Sequence, residues 1–267
     1  MKNIILKRIT AFILAVITLM SVSVISFSAQ AQESEEKCKY NLFFNTAGSA
    51  GASEDRVLVQ LIGSKGVSEW CDAGYAGMKG ARSTTCKCTA IWCEDVGDVT
   101  GIGLKMDGSD DMYVNYVEIA YDHANKRFHG GRWVNTKGIT LYQNAEVFRI
   151  EIKTADCKNA GTDQDVILNL YDDYGKKLAS ENLSDIYFDF DAFKRGDVMD
   201  FYIYQSGYST CAVPLVEFEL ENDLRYMIAS GWKIESVSVE RVSGVGTGMG
   251  RVFRCDHWMK AGDKYTL

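Results

Sequence analysis

Two stretches of the chain share one pattern, NLFFNTAGSAGASEDRVLVQLIGSKG (residues 41–66) and FRIEIKTADCKNAGTDQDVILNLYDDYG (residues 148–175). Each reads as a β-strand, a loop rich in Ala, Gly, Ser and Asp, and a second strand that ends at a Gly turn. Apolar and polar residues alternate along the strands, as they do where one face of a strand is buried. The pattern predicts two copies of one β-rich module.

Later segments repeat in the same order. MYVNYVEIAYD (112–122) parallels GWKIESVSVERV (231–242), and RFHGGRW (127–133) parallels RVFRCDHWM (251–259). These pairs place the two copies at residues 38–142 and 145–260. The junction TLYQNAE (140–146) is too short for a flexible linker.

The fold class predicted from these patterns is all-β. No long stretch has helical periodicity, and a single proline leaves most turns to Gly, Asn and Asp. Two antiparallel β-sandwiches in tandem would bury the alternating apolar residues. Strands are predicted at 40–46, 56–62, 100–105, 113–121, 146–154, 165–171, 200–204, 215–220 and 232–241.

Residues 1–31 have the features of a signal peptide. Lys2, Lys7 and Arg8 precede an uncharged run at 9–27, and Ala29-Gln30-Ala31 provides small residues for signal peptidase. Cleavage is expected before Gln32, which would make the protein secreted. The alternative is an uncleaved membrane anchor. The mature part has no second long apolar stretch, so no transmembrane segment is expected there.

The mature part is acidic. Without residues 1–31 it has 26 basic and 36 acidic residues, a net charge of −10 over 236 residues. This charge argues against nucleic acid as a partner and against anionic lipid held by overall electrostatics, but it allows local cation binding. Nothing in the sequence indicates an oligomeric state.

All eight cysteines lie in the mature part, namely Cys38, Cys71, Cys86, Cys88, Cys93, Cys157, Cys211 and Cys255. An even number in an exported chain indicates disulfides, whose connectivity the sequence does not fix. A zinc site at Cys86, Cys88 and Cys93 is the alternative, although the usual C-x-x-C pair is missing.

The second copy resembles the PLAT family (polycystin, lipoxygenase, alpha-toxin), also called lipoxygenase homology. AGTDQDVILNLYDDYG (160–175) is similar to the family's A-G-T-D signature. FKRGDVMDFYIY (193–204), GWKIESVSV (231–239) and FRCDHWM (253–259) are similar to the F-x-x-G, Trp-led and closing segments, in the family's order.

The first copy resembles the family less closely. It keeps VLVQLIGSKG (57–66), DVGDVTGIGLKMDGSDDMYVNYVEI (95–119) and FHGGRW (128–133), but AGASED (50–55) replaces the A-G-T-D core. The resemblance implies two sandwiches of about eight strands each. It also implies an exported binding module that docks to a lipid or membrane surface or to a protein partner.

The loop ADCKNAGTDQD (155–165) is a candidate Ca²⁺ site, because calcium takes six to eight oxygen ligands and some PLAT domains bind it here. A loop before the F-x-x-G segment would add further carboxylates. Alternatively, Thr162 and Asp163 only hydrogen-bond the turn. The candidate ligands are Asp156, Asn159, Gly161, Asp163, Asp165, Asp189 and Asp191.

We expect the protein not to be an enzyme, because the common nucleophile, metal-protease and phosphate-binding motifs are missing. Candidate docking residues are the aromatics Trp70, Tyr75, Trp92 and Tyr208, which could insert at an interface if exposed. The alternatives are a carbohydrate- or cell-wall-binding protein, and a hydrolase with its site in the cysteine-rich region 70–93.

Overall fold

The computed structural model describes residues 37–47, 53, 55–75, 85–187, 192–206, 213–221 and 231–267. The predicted signal peptide at 1–31 lies outside these residues. Within them, no helix is long and apolar enough to cross a bilayer. The helix that is described there is one turn, α1 (Leu183–Ile186), where the Asn182 side chain accepts a hydrogen bond from the Ser184 amide.

The first half of the described chain forms two antiparallel sheets around one core. One sheet has the strand order β5-β1-β7-β8. The other has the order β3-β2-β6-β9, with β4 also paired to β2. The strands are β1 (Cys38–Thr46), β2 (Arg56–Gly63), β3 (Gly66–Val67), β4 (Cys71–Tyr75), β5 (Thr85–Cys93), β6 (Val99–Met106), β7 (Met112–Tyr121), β8 (Ala124–Val134) and β9 (Ile139–Tyr142).

The second half likewise forms two antiparallel sheets around its own core, with the orders β13-β10-β15-β16 and β12-β11-β14-β17. The all-β prediction is therefore confirmed. The strands are β10 (Val147–Thr154), β11 (Val166–Tyr171), β12 (Lys177–Asn182), β13 (Val198–Tyr204), β14 (Leu215–Leu220), β15 (Trp232–Ser243), β16 (Gly250–Met259) and β17 (Lys264–Thr266).

The two halves have the same strand order. If β4 is set aside, each half places its strands in the order 4-1-6-7 in one sheet and 3-2-5-8 in the other. The last strand, β17, pairs with β14 through Phe218 and Tyr265. It therefore belongs to the second sandwich, which extends past the end expected at residue 260.

Alternation along the strands decides which face is buried. In β2, Val57, Val59 and Leu61 are fully buried, while the residues between them are only partly covered. Ile150 and Ile152 of β10 are buried in the same way. Each such side chain contributes about 1.5–3 kcal/mol when it leaves water, so the period of two fixes the inward face of these two strands.

The two sandwiches meet where β8 lies against β13. Gly131 of β8 has φ +65°, and a Cβ atom there would lie 2.8 Å from the main chain of Tyr202 and Tyr204. The Tyr113 hydroxyl donates a hydrogen bond to the Tyr202 carbonyl at 2.7 Å, and the Arg132 guanidinium lies 4.2 Å from the Tyr204 ring centroid. The main chains thus approach too closely for any residue larger than glycine at position 131.

The junction between the halves contains a buried ion pair. Glu146 accepts a hydrogen bond from the Arg241 guanidinium, and both side chains are almost completely buried. The other Glu146 oxygen accepts from the Val245 amide at 3.1 Å. The glycine-rich segment 244–250 is therefore held against the junction through Glu146.

Candidate functional site

The acidic loop at 155–165 joins β10 to β11 and packs against the loop at 192–197. The Thr162 amide donates to the Phe193 carbonyl at 3.3 Å, and the Gly196 amide donates to the Ala155 carbonyl at 3.3 Å. A Cβ at Gly161 would lie 3.0 Å from the Phe193 oxygen and 3.1 Å from the Arg195 nitrogen. Gly161 therefore allows the two loops to touch.

Two of the candidate calcium ligands pair with cations of the protein itself. The Asp163 carboxylate lies 2.6 Å from the Lys194 ammonium, and the Asp156 carboxylate lies 2.6 Å from the Arg195 guanidinium. All four side chains are substantially exposed. Lys194 and Arg195 are the two central residues of the F-x-x-G segment (193–196), so basic side chains of that segment face Asp156 and Asp163.

The other described candidate ligands lie in the turns of the 155–165 loop. Asn159 adopts a left-handed conformation (φ 63°) within a turn in which the Ala160 amide donates to the Cys157 carbonyl. Thr162 Oγ1 accepts from the Gln164 amide at 3.1 Å, which is the turn-stabilising role given as the alternative. The Asp165 carbonyl accepts from the Glu221 amide.

Asp189 and Asp191 lie outside the described residues. Among the residues that are described, no three His, Cys, Asp or Glu side chains are grouped to hold a metal ion. Within the described part of the predicted donor set, the Asp156 and Asp163 carboxylates are thus already paired with Arg195 and Lys194.

Three of the predicted docking aromatics are exposed beside β4 and β5, two edge strands that belong to different sheets and contact each other. We call this region, residues 70–75 and 85–93, the β4–β5 edge. Trp70 is 38%, Tyr75 52% and Trp92 57% exposed. Tyr208 lies outside the described residues. The three described rings therefore meet the condition of exposure on which docking was made to depend.

Lysines accompany two of these rings. The Lys105 ammonium lies 4.3 Å from the Trp70 ring centroid, and the Lys87 ammonium lies 5.6 Å from that of Tyr75. Trp70 rests over β6, since a Cβ at Gly103 would be 3.1 Å from its ring. The β4–β5 edge thus presents aromatic rings with positive charge beside them.

The alternative zinc site at Cys86, Cys88 and Cys93 is not formed. Cys86 and Cys88 are exposed on one face of β5, whereas Cys93 is buried on the opposite face. Thiolates on opposite faces of one strand cannot bind the same metal ion.

The three histidines lie in different surroundings. The His257 ring stacks on Tyr265 at 4.0 Å, and burial raises the pKa of the nearby Cys255 thiol, which disfavours the thiolate. Burial also lowers the pKa of His129 to about 4, and its Nδ1 has no hydrogen-bond partner among the described residues. His123 sits in the β7–β8 turn with φ 64°.

Comparison with known proteins identifies the second sandwich. Residues 148–267 match the family model described as PLAT/LH2 domain, a range that begins in β10 and ends after β17. This part of the chain is therefore a PLAT domain, as its four motifs indicated. No curated protein sequence matches the chain.

Solved structures with a similar chain path include a coral 8R-lipoxygenase and the alpha toxin from Clostridium absonum. The lipoxygenase is 21% identical with a TM-score of 0.36, over 41% of this chain and 17% of its own. The toxin is 20% identical with a TM-score of 0.36, over 46% of this chain and 31% of its own. This chain thus spans well under half the length of either protein.

Proposed function

We propose that the protein is an exported, non-catalytic binding protein that attaches to a lipid surface through its β4–β5 edge. The observation that carries this proposal is the exposure of Trp70, Tyr75 and Trp92 along that edge. Trp and Tyr have an apolar body with a polar group, and they are favoured at the boundary between lipid and water. Exposed aromatic rings grouped along one edge are typical of an interaction site.

The charge around the edge supports an anionic lipid. Among the described residues, the Lys87 and Lys105 ammonium groups lie beside the Tyr75 and Trp70 rings, and the one acidic residue of the edge, Asp72, is paired with Arg56 at 2.7 Å. A basic residue near an anionic membrane contributes about 1 kcal/mol. Because the rest of the chain is repelled by the same surface, attachment would be confined to this edge.

Calcium is not needed for attachment in this proposal. The coral 8R-lipoxygenase is described as activated by calcium through a C2-like domain. In this chain, Lys194 and Arg195 already neutralise Asp163 and Asp156. A calcium ion would have to displace both cations before it could use these carboxylates.

The first sandwich is, in this proposal, a second and divergent PLAT domain. Its support is the strand order that it shares with the PLAT domain at 148–267, in both sheets. In this proposal the first sandwich attaches to the lipid surface, because it carries the exposed aromatic edge. The second sandwich carries the family signature.

One observation favours carbohydrate as a second candidate ligand. On β6 of the first sandwich, a Cβ at Gly101 would contact the Tyr142 ring, and a Cβ at Gly103 would contact the Trp70 ring, each at 3.1 Å. These glycines place two partly exposed aromatic rings over neighbouring positions of one sheet, where sugar rings can stack.

Vesicle sedimentation of the full chain tests the proposal. Binding is expected to vesicles of phosphatidylcholine with phosphatidylglycerol, to be weaker without phosphatidylglycerol, and to be unchanged by a calcium chelator. Trp70→Ala/Trp92→Ala should weaken binding about tenfold or more, a loss of about 1.4 kcal/mol. Trp258→Ala is the matched control, because Trp258 is a 43% exposed tryptophan of the second sandwich.

Equal binding by the double variant and the parent protein would contradict attachment through this edge. Binding to soluble glycans but not to vesicles, lost in Trp70→Ala and Tyr142→Ala, would establish the carbohydrate alternative instead. Turnover on a panel of hydrolase substrates, abolished by Cys86→Ser or Cys88→Ser, would overturn the non-catalytic assignment.

A further inference from the structure

Two cysteines meet where the two sheets of the first sandwich come together. Cys71 begins β4 and Cys93 ends β5. Both side chains are buried, and the two thiols lie within hydrogen-bonding reach of each other. The Cys71 sulfur is also 3.8 Å from the carbonyl of Trp92, the residue before Cys93.

The other described cysteines are less suitable partners for either thiol. Cys86 and Cys88 point to the exposed face of β5, away from Cys93. Cys157 and Cys255 belong to the second sandwich.

Cys38 is the closest competitor, because it lies directly opposite Cys93 in the β1–β5 pair. Residues directly opposite in an antiparallel pair keep their Cβ atoms about 4.5–5.5 Å apart, whereas a disulfide needs about 3.5–4.5 Å. Cys38 also accepts a hydrogen bond from the Tyr121 hydroxyl at 3.3 Å. The geometry therefore favours Cys71 over Cys38 as the partner of Cys93.

We propose that Cys71 and Cys93 form a disulfide in the exported protein, a covalent link between the edges of the two sheets. The electron acceptor is the active-site disulfide of a thiol–disulfide oxidoreductase. One cysteine thiolate attacks that disulfide and forms a mixed disulfide. The second cysteine thiolate then displaces the oxidoreductase, which leaves as a dithiol carrying the two electrons and both protons.

Burial of the two thiols determines at which stage of folding the Cys71–Cys93 disulfide forms. It raises the pKa of both thiols, that of Cys93 to about 12, so the folded reduced protein holds very little of the reactive thiolate. Oxidation therefore takes place during folding, before β4 and β5 pack together. In a folded and fully reduced sample, thiol reagents should modify Cys86 and Cys88 long before Cys71 and Cys93.

Peptide mapping of the full chain, secreted into an oxidising compartment, tests the link directly. Free thiols are alkylated, and the unreduced protein is denatured and cut with chymotrypsin, which cleaves after Trp70 and Trp92. The expected product is a cross-linked pair of peptides, one beginning at Cys71 and the other at Cys93. A Cys38–Cys93 peptide, or alkylated Cys71 and Cys93, would overturn the proposal.

Stability provides a second measurement. Cys71→Ser and Cys93→Ser should each lower the melting temperature of the oxidised protein by about 5–10 °C, and the double variant should lower it no further. The matched control is Cys88→Ser, an exposed cysteine on the same strand, which should leave it unchanged. If the decreases in melting temperature of the two single variants add up in the double variant, the two cysteines stabilise the fold independently and do not form a disulfide. The link does not depend on membrane attachment, so either proposal can fail alone.

Discussion

The Tyr113 hydroxyl of the first sandwich donates a 2.7 Å hydrogen bond to the main-chain oxygen of Tyr202 in the second. Tyr113 is completely buried, and burial raises the pKa of its hydroxyl well above the ordinary value, so the group stays protonated as a donor. Its ring packs edge-on against Trp133 at 5.2 Å. One tyrosine thus ties the two halves together while it completes the core of the second.

Gly131→Ala should separate the two sandwiches. The new Cβ would lie 2.8 Å from the main chain of Tyr202 and Tyr204, and the positive φ adds a cost of about 1–2 kcal/mol. We expect a total loss of about 3 kcal/mol in denaturant unfolding. The matched control is Gly175→Ala, because Gly175 has φ +80° with no atom near its Cβ position and should show only the backbone cost. Equal losses in the two variants would contradict the close approach.

Arg241→Met should destabilise the protein by about 3–5 kcal/mol, because it leaves the buried Glu146 carboxylate without its counter-charge. Adding Glu146→Gln to this variant should recover part of the loss. Thermal and denaturant unfolding measure both effects.

Lys65→Met is the control for this ion pair, since it removes an exposed pair with Asp95 and should cost no more than about 1 kcal/mol. If Arg241→Met lowered the free energy of unfolding no more than Lys65→Met, the Glu146–Arg241 pair would not be buried in solution.

His129 should make the protein lose stability in mild acid. Burial, together with the nearby Arg127, lowers the pKa of its imidazole to about 4, while the unfolded chain titrates near 6.5. Between these values only the unfolded state takes up the proton, so the free energy of unfolding falls as pH falls through this window. The contribution of His129 over the whole window is on the order of 3 kcal/mol.

Denaturant unfolding across this pH window measures the effect. His129→Gln should reduce the fall in stability, whereas His123→Gln, at an exposed turn position, should not. An unchanged pH dependence in His129→Gln would show that the imidazole is not buried in solution.

Calcium should not raise the melting temperature of the parent protein, because Lys194 and Arg195 neutralise the Asp163 and Asp156 carboxylates of the 155–165 loop. Lys194→Ala/Arg195→Ala removes both cations and should create a calcium-dependent rise in melting temperature. Calorimetry with calcium and then with chelator measures this. A calcium-dependent rise in the parent protein that disappears in Asp163→Asn would contradict the expectation.

The long strands could be predicted from the sequence because their alternating residues record which face is buried. The strand expected at 215–220 has the same bounds as β14, and the other eight differ by two residues or fewer at either end. The short strands β3, β4, β9 and β17 were not predicted, because two to five residues hold too little alternation. β12 was not predicted either, and β8 and β16 contain the repeated segments 127–133 and 251–259 but were not among the nine predicted strands. β5 was missed because Thr and Cys in TCKCTAIWC do not show which face is apolar.

The candidate site was predicted only in part. Spacing placed the acidic residues of 155–165 in one loop, but it could not show which side chains of another loop would face them. The adjacent Lys194 and Arg195 in FKRGD were the available signal for ion pairs with Asp163 and Asp156. The contact between Gly131 and Tyr202 joins residues 71 positions apart and depends on packing, which the sequence pattern does not encode.

The main-chain contact at Gly131 also limits how the molecule can move. No layer of side chains separates β8 from β13 at this point, so the sandwiches cannot slide past each other as packed helices do. If the β4–β5 edge attaches to a lipid surface, that attachment would therefore also set the orientation of the second sandwich. The loops at 155–165 and 192–197 would then lie at a fixed distance from that surface.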